Sequence, residues 1–419
     1  MRNKLVFLIR AYNDLDHNAP IADFLLSQGE RVVVLNIDSN VADEDYRLEI
    51  LRRHEKFYYS KVSNWNFTKD KPARTFVSLV ERVFYKLFLS SSTSPMWNAL
   101  LRLWIKKNKT VCDVVTRADC IFFEWGRPEQ RGVAVLAIHR LARAYEIPTV
   151  ALPHGCNTFA RGGSNSVVRK KLTYRGGRLR EKPFWEYNYY CVQNPIRKIQ
   201  LESNIGAPAN IVTIGSLRFS DKWRSEMRRS IPDQAAAHQV GFKITLMEFQ
   251  KGYGAREGEL SAMIRFIESL NGVSFVLKRS TREGKSLGLC SRSVVVGNEC
   301  HSAPLIDESD CVIVYGSSIA IEVVLQRKLL ITPSYLGLGQ SFFEKYGIGL
   351  IPKRPEQLQA MLEHISADQS AYEEAVSEQN RKLDMVVKEY VNGGNSDGPT
   401  KALLAVLNRC GIRGQGHDS

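Results

Sequence analysis

The chain has 419 residues, 44% of them in the hydrophobic set and 24% charged, which suits about two or three domains and excludes wholesale disorder or a fibrous repeat. Fifty-eight Lys and Arg stand against 44 Asp and Glu, a net charge of +14. That surplus favours an anionic partner: a nucleotide phosphate, an acidic glycan, nucleic acid or a membrane surface. The eight cysteines are scattered without a CxxC pair, so neither a disulfide scaffold nor a paired zinc site fits, and reduced, mostly buried thiols in a cytoplasmic protein are expected.

Residues 4–9 form a short apolar run that stops at Arg10 without a small-residue cleavage site, so it reads as a first strand rather than a signal peptide. A polar loop over 10–17, a helix over 19–28 closed by Gly29 and a strand over 31–37 follow. This βαβ opening predicts a parallel sheet, whose functional crevice lies beyond the carboxyl ends of its strands. Arg10, Asn13, Asp14 and His17 fall on that side. Residues 57–107 are aromatic and basic, and Phe76, Leu79, Val80, Val83, Phe84, Leu87 and Phe88 mark an amphipathic helix. Such a helix either docks on the core or lies on a membrane surface. No window is apolar and long enough to span a bilayer.

Strand and helix alternate again over 119–124, 133–145 and 149–152. The first of these strands ends in Glu124-Trp125-Gly126 and the last runs into Pro153-His154-Gly155. A very basic stretch occupies 161–182, and strands follow at 189–192 and 211–214. Strand signal is lost over 224–241, which reads as a linker between a first domain, 1–223, and a second, 242–395, with 396–419 as a closing helix and tail. The second domain offers strands at 243–247, 273–278, 293–296, 311–314 and 329–332, helices at 259–270 and 319–326, and a long helix at 371–390. A last helix is expected at 401–408.

Five features could carry chemistry. In Val312–Glu322 an apolar strand ends in Gly316-Ser317-Ser318 and a helix begins at once; exposed N–H groups and two hydroxyls there suit an anion, and Glu322 could accept a ribose hydroxyl. The plainer reading is N-capping by either serine. Glu124, at the end of a buried strand, stands where a general base would, or else pairs with an arginine such as Arg127. His154 could donate a hydrogen bond or shuttle a proton, or be structural. Lys278, Arg279 and Arg282 could clamp a diphosphate or a sugar carboxylate, or form a solvated loop. Glu248, opening the second half, could act as nucleophile or hydroxyl ligand. There is no Walker A motif, no GxGxxG after the first strand, no GxSxG, no HExxH and no helix-turn-helix or zinc-finger pattern.

Two successive α/β halves, a central linker and closing helices resemble the GT-B glycosyltransferases, and the motif order resembles the bacterial capsule and lipopolysaccharide transferases that use cytidine-nucleotide donors (sialyl-, polysialyl- and Kdo-transferases). Ser317-Ser318 matches their Ser-Ser motif, Glu124-Trp125-Gly126 their acidic-acidic-Gly motif in its first and third positions, and Pro153-His154-Gly155 and Gly215-Ser216-Leu217-Arg218 are similar to stretches of the wider group. Their His-Pro position holds Ser280-Thr281 instead. The resemblance implies two Rossmann-like α/β domains facing across a cleft, with closing helices packing back. It implies a CMP-sugar such as CMP-Kdo as donor, phosphate on Ser317-Ser318, Glu124 or His154 as base, and Arg10, Asn13 and Asp14 on the acceptor side. The expected partners are the nucleotide-sugar and a glycan acceptor, lipid-linked at the inner membrane; no resident cofactor, no metal and no nucleic acid are expected. A CDP-glycerol-type transferase, a UDP-sugar 2-epimerase and a non-catalytic nucleotide- or glycan-binding homologue remain the alternatives.

Overall fold

The computed structural model describes residues 4–10, 12–37, 43–62, 102–124, 128, 133–153, 155, 158, 187–205, 210–231, 240–248, 257–279, 294–297, 300–337 and 340–412. The amphipathic helix expected around Phe76–Phe88, the basic stretch 161–182, His154 and Arg282 lie outside the described residues.

The strands are continuous apolar runs, and the reason is their burial on two faces. In β1 (Lys4–Ile9), Leu5, Phe7 and Ile9 enter one core while Val6 and Leu8 enter another, as the period-2 alternation of strand side chains requires. β2 (Arg31–Asn36) and β4 (Cys120–Glu124) divide their side chains in the same way. Phe7 of β1 stands in register with Phe122 of β4, and their rings stack at 4.3 Å. With β3 (Phe57–Lys61), β5 (Thr149–Leu152), β6 (Tyr189–Val192) and β7 (Ile211–Thr213) they form a seven-stranded parallel sheet in the order β3-β2-β1-β4-β5-β6-β7.

A second parallel sheet repeats this winding with five strands. β8 (Phe242–Met247), β9 (Val273–Lys278), β10 (Val294–Val296), β11 (Cys311–Ile313) and β12 (Leu329–Ile331) lie in the order β10-β9-β8-β11-β12. Ile244, Leu246, Leu277 and Ile313 face one core, and Met247, Val276, Val312 and Val314 the other. In both sheets the strand order reverses beside the first strand, between β1 and β4 and between β8 and β11. At such a switch point the flanking loops diverge to opposite faces and leave a crevice.

Element boundaries differ from the sequence reading in informative places. The helix expected over 19–28 runs over Tyr12–Ser27 and carries Pro20 in its interior, so most of the polar loop is helix. The segment read as a linker opens inside the helix Asp221–Ser230, whose Trp223 and Met227 pack into the first domain's core. The single long helix expected over 371–390 is broken into Gln369–Asn380, Leu383–Val386 and a π turn Val387–Val391. The closing helix, Gly398–Arg409, crosses back and buries Leu403, Val406 and Leu407 in the first domain's core. No helix among the described residues is long and apolar enough to cross a membrane.

Candidate functional site

At the switch point of the first sheet, Arg10 leaves β1 and Glu124 ends β4. The Arg10 guanidinium donates through Nε to Glu124 Oε2 at 2.6 Å, with the Glu124 side chain only 4% exposed. The Arg10 backbone N–H donates to Asp14 Oδ2 at 2.9 Å, so the acid on the first turn of the next helix fixes the end of the strand. Arg10, Asp14 and Glu124 are therefore one cluster. Asn13 is half-buried on the same turn.

The corresponding point of the second sheet carries Tyr315-Gly316-Ser317-Ser318. Gly316 takes φ +68°, the left-handed region in which glycine avoids a Cβ clash. Ser317 Oγ accepts the Ile319 N–H at 3.3 Å, so one of the two hydroxyls does the capping that the plainer reading assigned to it. Both serines remain half-buried. Glu248 stands at the end of β8, half-buried, with its N–H on the Lys278 carbonyl at 2.9 Å. Lys278 behaves differently from a clamp reaching outward: it is 3% exposed, and Nζ donates to the carbonyls of Gly297 and Arg279. Arg279 is exposed.

Arg218, from the turn after β7, joins the two switch points. Its Nη2 donates to Glu322 Oε1 at 2.6 Å in the second domain, and its Nη1 lies 3.5 Å from Asp16 Oδ2 in the first. Glu322 thus meets a cation of the neighbouring domain, where the sequence suggested a ribose hydroxyl. Asp16 also pairs with Arg47, which is fully buried, is held by Asp45 and lies 4.0 Å from the centre of the Tyr12 ring. Burial alone would push the Asp16 carboxyl up, but the Arg218 and Arg47 guanidiniums outweigh it and hold the group at about 2.

A second bridge runs from Tyr46 to His301, with Tyr46 Oη 3.0 Å from His301 Nε2. His301 Nδ1 accepts the Ala303 N–H at 3.1 Å and so caps the helix Ser302–Glu308. With Nδ1 accepting, the neutral ring carries its proton on Nε2 and donates to Tyr46, whose hydroxyl donates onward to Met227 Sδ at 3.8 Å. Burial lowers the His301 ring to about 4; Asp16 opposes the shift, and Arg47, Arg218 and Lys278 add to it. Asp16, Tyr46, Arg47 and His301 were not among the residues singled out from sequence. One signal was present: a charged Arg47 beside the apolar Leu48, Ile50 and Leu51 of a short helix.

Beside the site, a small recess is lined by His17, Pro153, Gln193, Gly215 and Ser216, with Leu403 of the closing helix at its wall. His17 Nδ1 lies 3.1 Å from Gln193 Nε2. Among the described residues no group of three or more side chains could hold a metal ion.

No family model matches the chain, and no curated protein matches it. Solved structures do. The MnaA–UDP co-structure from S. aureus aligns over 99% of this chain and 99% of its own, with a TM-score of 0.56 and 12% identity. The glycotransferase of kitacinnamycin aligns over 98% and 99%, at 0.52 and 14%. A UDP-GlcNAc 2-epimerase from Neisseria meningitidis, bound to UDP-GlcNAc, aligns over 98% and 100%, at 0.51 and 12%. The chain has the GT-B fold of these proteins, two Rossmann-like domains with their strand ends turned toward one another.

Proposed function

We propose that the chain is a glycosyltransferase taking a nucleotide-sugar in the crevice between its domains. The observation that supports this most directly is the Arg218 bridge from Asp16 to Glu322, because it ties the helix that follows β1 to the helix that follows β11. In this reading the donor phosphate lies on Ser317-Ser318, and the negative charge of the departing nucleotide is stabilised by the two hydroxyls and by Arg279. Glu124, oriented by Arg10, takes the proton of the acceptor hydroxyl, with His154 as the other candidate base. In a retaining, covalent course, Glu248 attacks the anomeric carbon instead.

The finer reading is transfer of Kdo or a sialic-acid-like sugar from a CMP-sugar to a lipid-linked surface polysaccharide. It rests on the Ser317-Ser318 and Glu124-Trp125-Gly126 resemblance, with the net charge of +14 suiting an acidic acceptor at an anionic membrane surface. A second reading, a UDP-sugar 2-epimerase, is favoured by the full-length alignments with the MnaA–UDP co-structure and the N. meningitidis epimerase.

Thermal shift with CMP, CDP, UDP and GDP tests the donor, since a ligand that binds only the folded state raises the melting temperature. A response to CMP supports the finer reading, and a response to UDP alone removes it. Epimerisation of UDP-GlcNAc without an acceptor selects the second reading, and no response to any nucleotide overturns both. With a donor in hand, Glu124→Gln is expected to lower kcat about 10²–10⁴-fold with nucleotide binding unchanged. Turnover at the wild-type rate would remove Glu124 as the base.

A further inference from the structure

An aromatic ring at the end of β1 is backed on one face and open on the other. Tyr12 begins the helix Tyr12–Ser27, two residues after Arg10. The Arg47 guanidinium lies over its ring, 4.0 Å from the centroid, yet Tyr12 remains 39% exposed. With one face covered, that exposure belongs to the opposite face and the hydroxyl edge.

The backing is fixed. Arg47 is fully buried. Its Nε and Nη2 donate to the two oxygens of Asp45 at 2.8 and 2.6 Å, and its Nη1 donates to Asp16 and to the Tyr12 carbonyl. These partners satisfy the guanidinium without any help from the ring. Moving it away would break two ion pairs, and cation–π attraction holds the ring against it.

The helix decides where the ring stands. Residues four apart share a face, so Tyr12 is on the side of Asp16. Asp16 lies 3.5 Å from Arg218, which reaches Glu322 of the second domain. Tyr12 is therefore on the interdomain side of its helix. Glu124, the base in the reading above, is held by Arg10 at 2.6 Å, and two residues of chain span at most about 7 Å. Asn13, half-buried beside Tyr12, brings an amide that can both donate and accept.

A pyranose has the matching chemistry. Its hydroxyls line the rim, and its C–H bonds gather on a face whose partial positive charge suits the negative face of an aromatic ring. A ring already held in place loses little freedom when a sugar settles on it.

We propose that Tyr12 is a stacking platform for a pyranose ring of the acceptor glycan, with Arg47 as its fixed backing. This rests on the glycosyltransferase reading and adds an acceptor subsite to it. The C–H face of the sugar lies on the open side of Tyr12, and its rim hydroxyls turn toward Asn13 and Glu124. A nucleobase is flat as well, but Ser317, Ser318 and Arg279, which would hold the donor, stand on the second domain.

The test titrates methyl β-galactopyranoside and methyl β-glucopyranoside into the full-length protein without a donor, followed by saturation-transfer NMR. The galactoside carries H1, H3, H4 and H5 on one face, and saturation should be strongest there. Tyr12→Leu keeps an apolar side chain without a π face and should weaken glycoside binding about five- to tenfold. Tyr12→Phe and Tyr12→Trp should bind within about twofold of wild type. Thermal-shift responses to CMP and UDP should be the same in every variant.

No binding of either glycoside to the wild type, equal binding by Tyr12→Leu, or a loss confined to the nucleotide response would overturn the platform. If Tyr12→Leu fails to fold, the wild-type saturation map and the Phe and Trp variants decide, and saturation spread evenly over both sugar faces removes stacking. No nucleotide or turnover enters the sugar measurement. Turnover of a nucleotide-sugar with sugar binding unchanged in Tyr12→Leu therefore removes this subsite alone. Glycoside binding through Tyr12 with no nucleotide response removes the transferase reading and leaves Tyr12 in a glycan-binding site.

Discussion

Arg218 answers two acids in different domains, and its own desolvation is offset only because both are there. Removing one partner of such a pair leaves the other charge buried and uncompensated, a loss of about 3–5 kcal/mol. Arg218→Met should therefore destabilise the protein by that order, read as a lower urea midpoint. Arg218→Lys keeps the charge but has no planar fork to span Asp16 and Glu322, so it should recover only part of the loss. Wild-type stability in Arg218→Met would show that the bridge contributes nothing to domain association.

His301 sets a pH dependence whose sign follows from its surroundings. Its ring sits at about 4 in the fold, against about 6.5 in an unfolded chain. Between those values the unfolded state binds more protons, so stability rises with pH across the window and is lost on acidification from 6.5 toward 4. The full shift corresponds to about 3 kcal/mol. The main cause is burial, to which Arg47, Arg218 and Lys278 add, and a proton on Nδ1 would also face the Ala303 N–H that it now accepts. Asp16, held at about 2, contributes its own loss only below about 4, where unfolded carboxyls begin to protonate. Chemical unfolding from pH 7 to 4 should show the His301 slope, and His301→Gln should flatten it. An unchanged slope would place the titration elsewhere.

Among the elements, the turn after β7 packs backbone on backbone against the segment that leads to the closing helix. Gly215 (φ +73°) would place a Cβ 2.3 Å from the Val391 carbonyl, and Gly393 (φ +61°) would place one 2.4 Å from the Gly215 nitrogen. The two segments are joined by the Ser216 N–H on Val391 O at 2.9 Å. A side chain at either position adds left-handed strain, about 1–2 kcal/mol, to a steric overlap. Gly215→Ala and Gly393→Ala should each lower the melting temperature, whereas Gly272→Ala, whose Cβ would meet nothing within 4 Å, should show the strain alone. Equal losses at all three would remove the close approach as the cause.

The same scale explains what could be read from sequence. β1, β2, β4, β8, β9 and β11 were legible because strands buried on both faces are unbroken apolar runs. The start of the helix Tyr12–Ser27 was not, because Asp14, His17 and Asn18 are buried on it and their polarity hides the helical period. Pro355–Ala367 was overlooked although its signal exists: proline opens the first turn, and Leu358, Leu362 and Ile365 are its buried face. The site divides similarly. Ser317, Ser318, Glu124 and Arg10 follow strand ends and could be found there. The Arg47–Asp16–Arg218–Glu322 chain and the Tyr46–His301 contact span two domains, and no local pattern announces a partner 104 residues away, as Glu322 is from Arg218.

For the whole molecule, the closing helix means that covalent order and packing order disagree. Gly398–Arg409 follows the second domain but belongs to the first domain's core through Leu403, Val406 and Leu407, none more than 2% exposed. Fully burying side chains of this kind contributes about 1.5–3 kcal/mol each, and Leu403→Ala should cost about 2–5 kcal/mol once the cavity it leaves is included. Leu403 also forms the wall of the recess that holds His17 and Gln193, so the loss should fall beside the crevice. Hydrogen exchange locates it. In Leu403→Ala, or with residues 398–419 removed, amides of β1, β4 and the helix Tyr12–Ser27 should exchange faster while β8, β9 and β11 keep their protection. Uniform acceleration across both sheets would mean instead that the two domains unfold as one cooperative unit and that the closing helix stabilises them jointly.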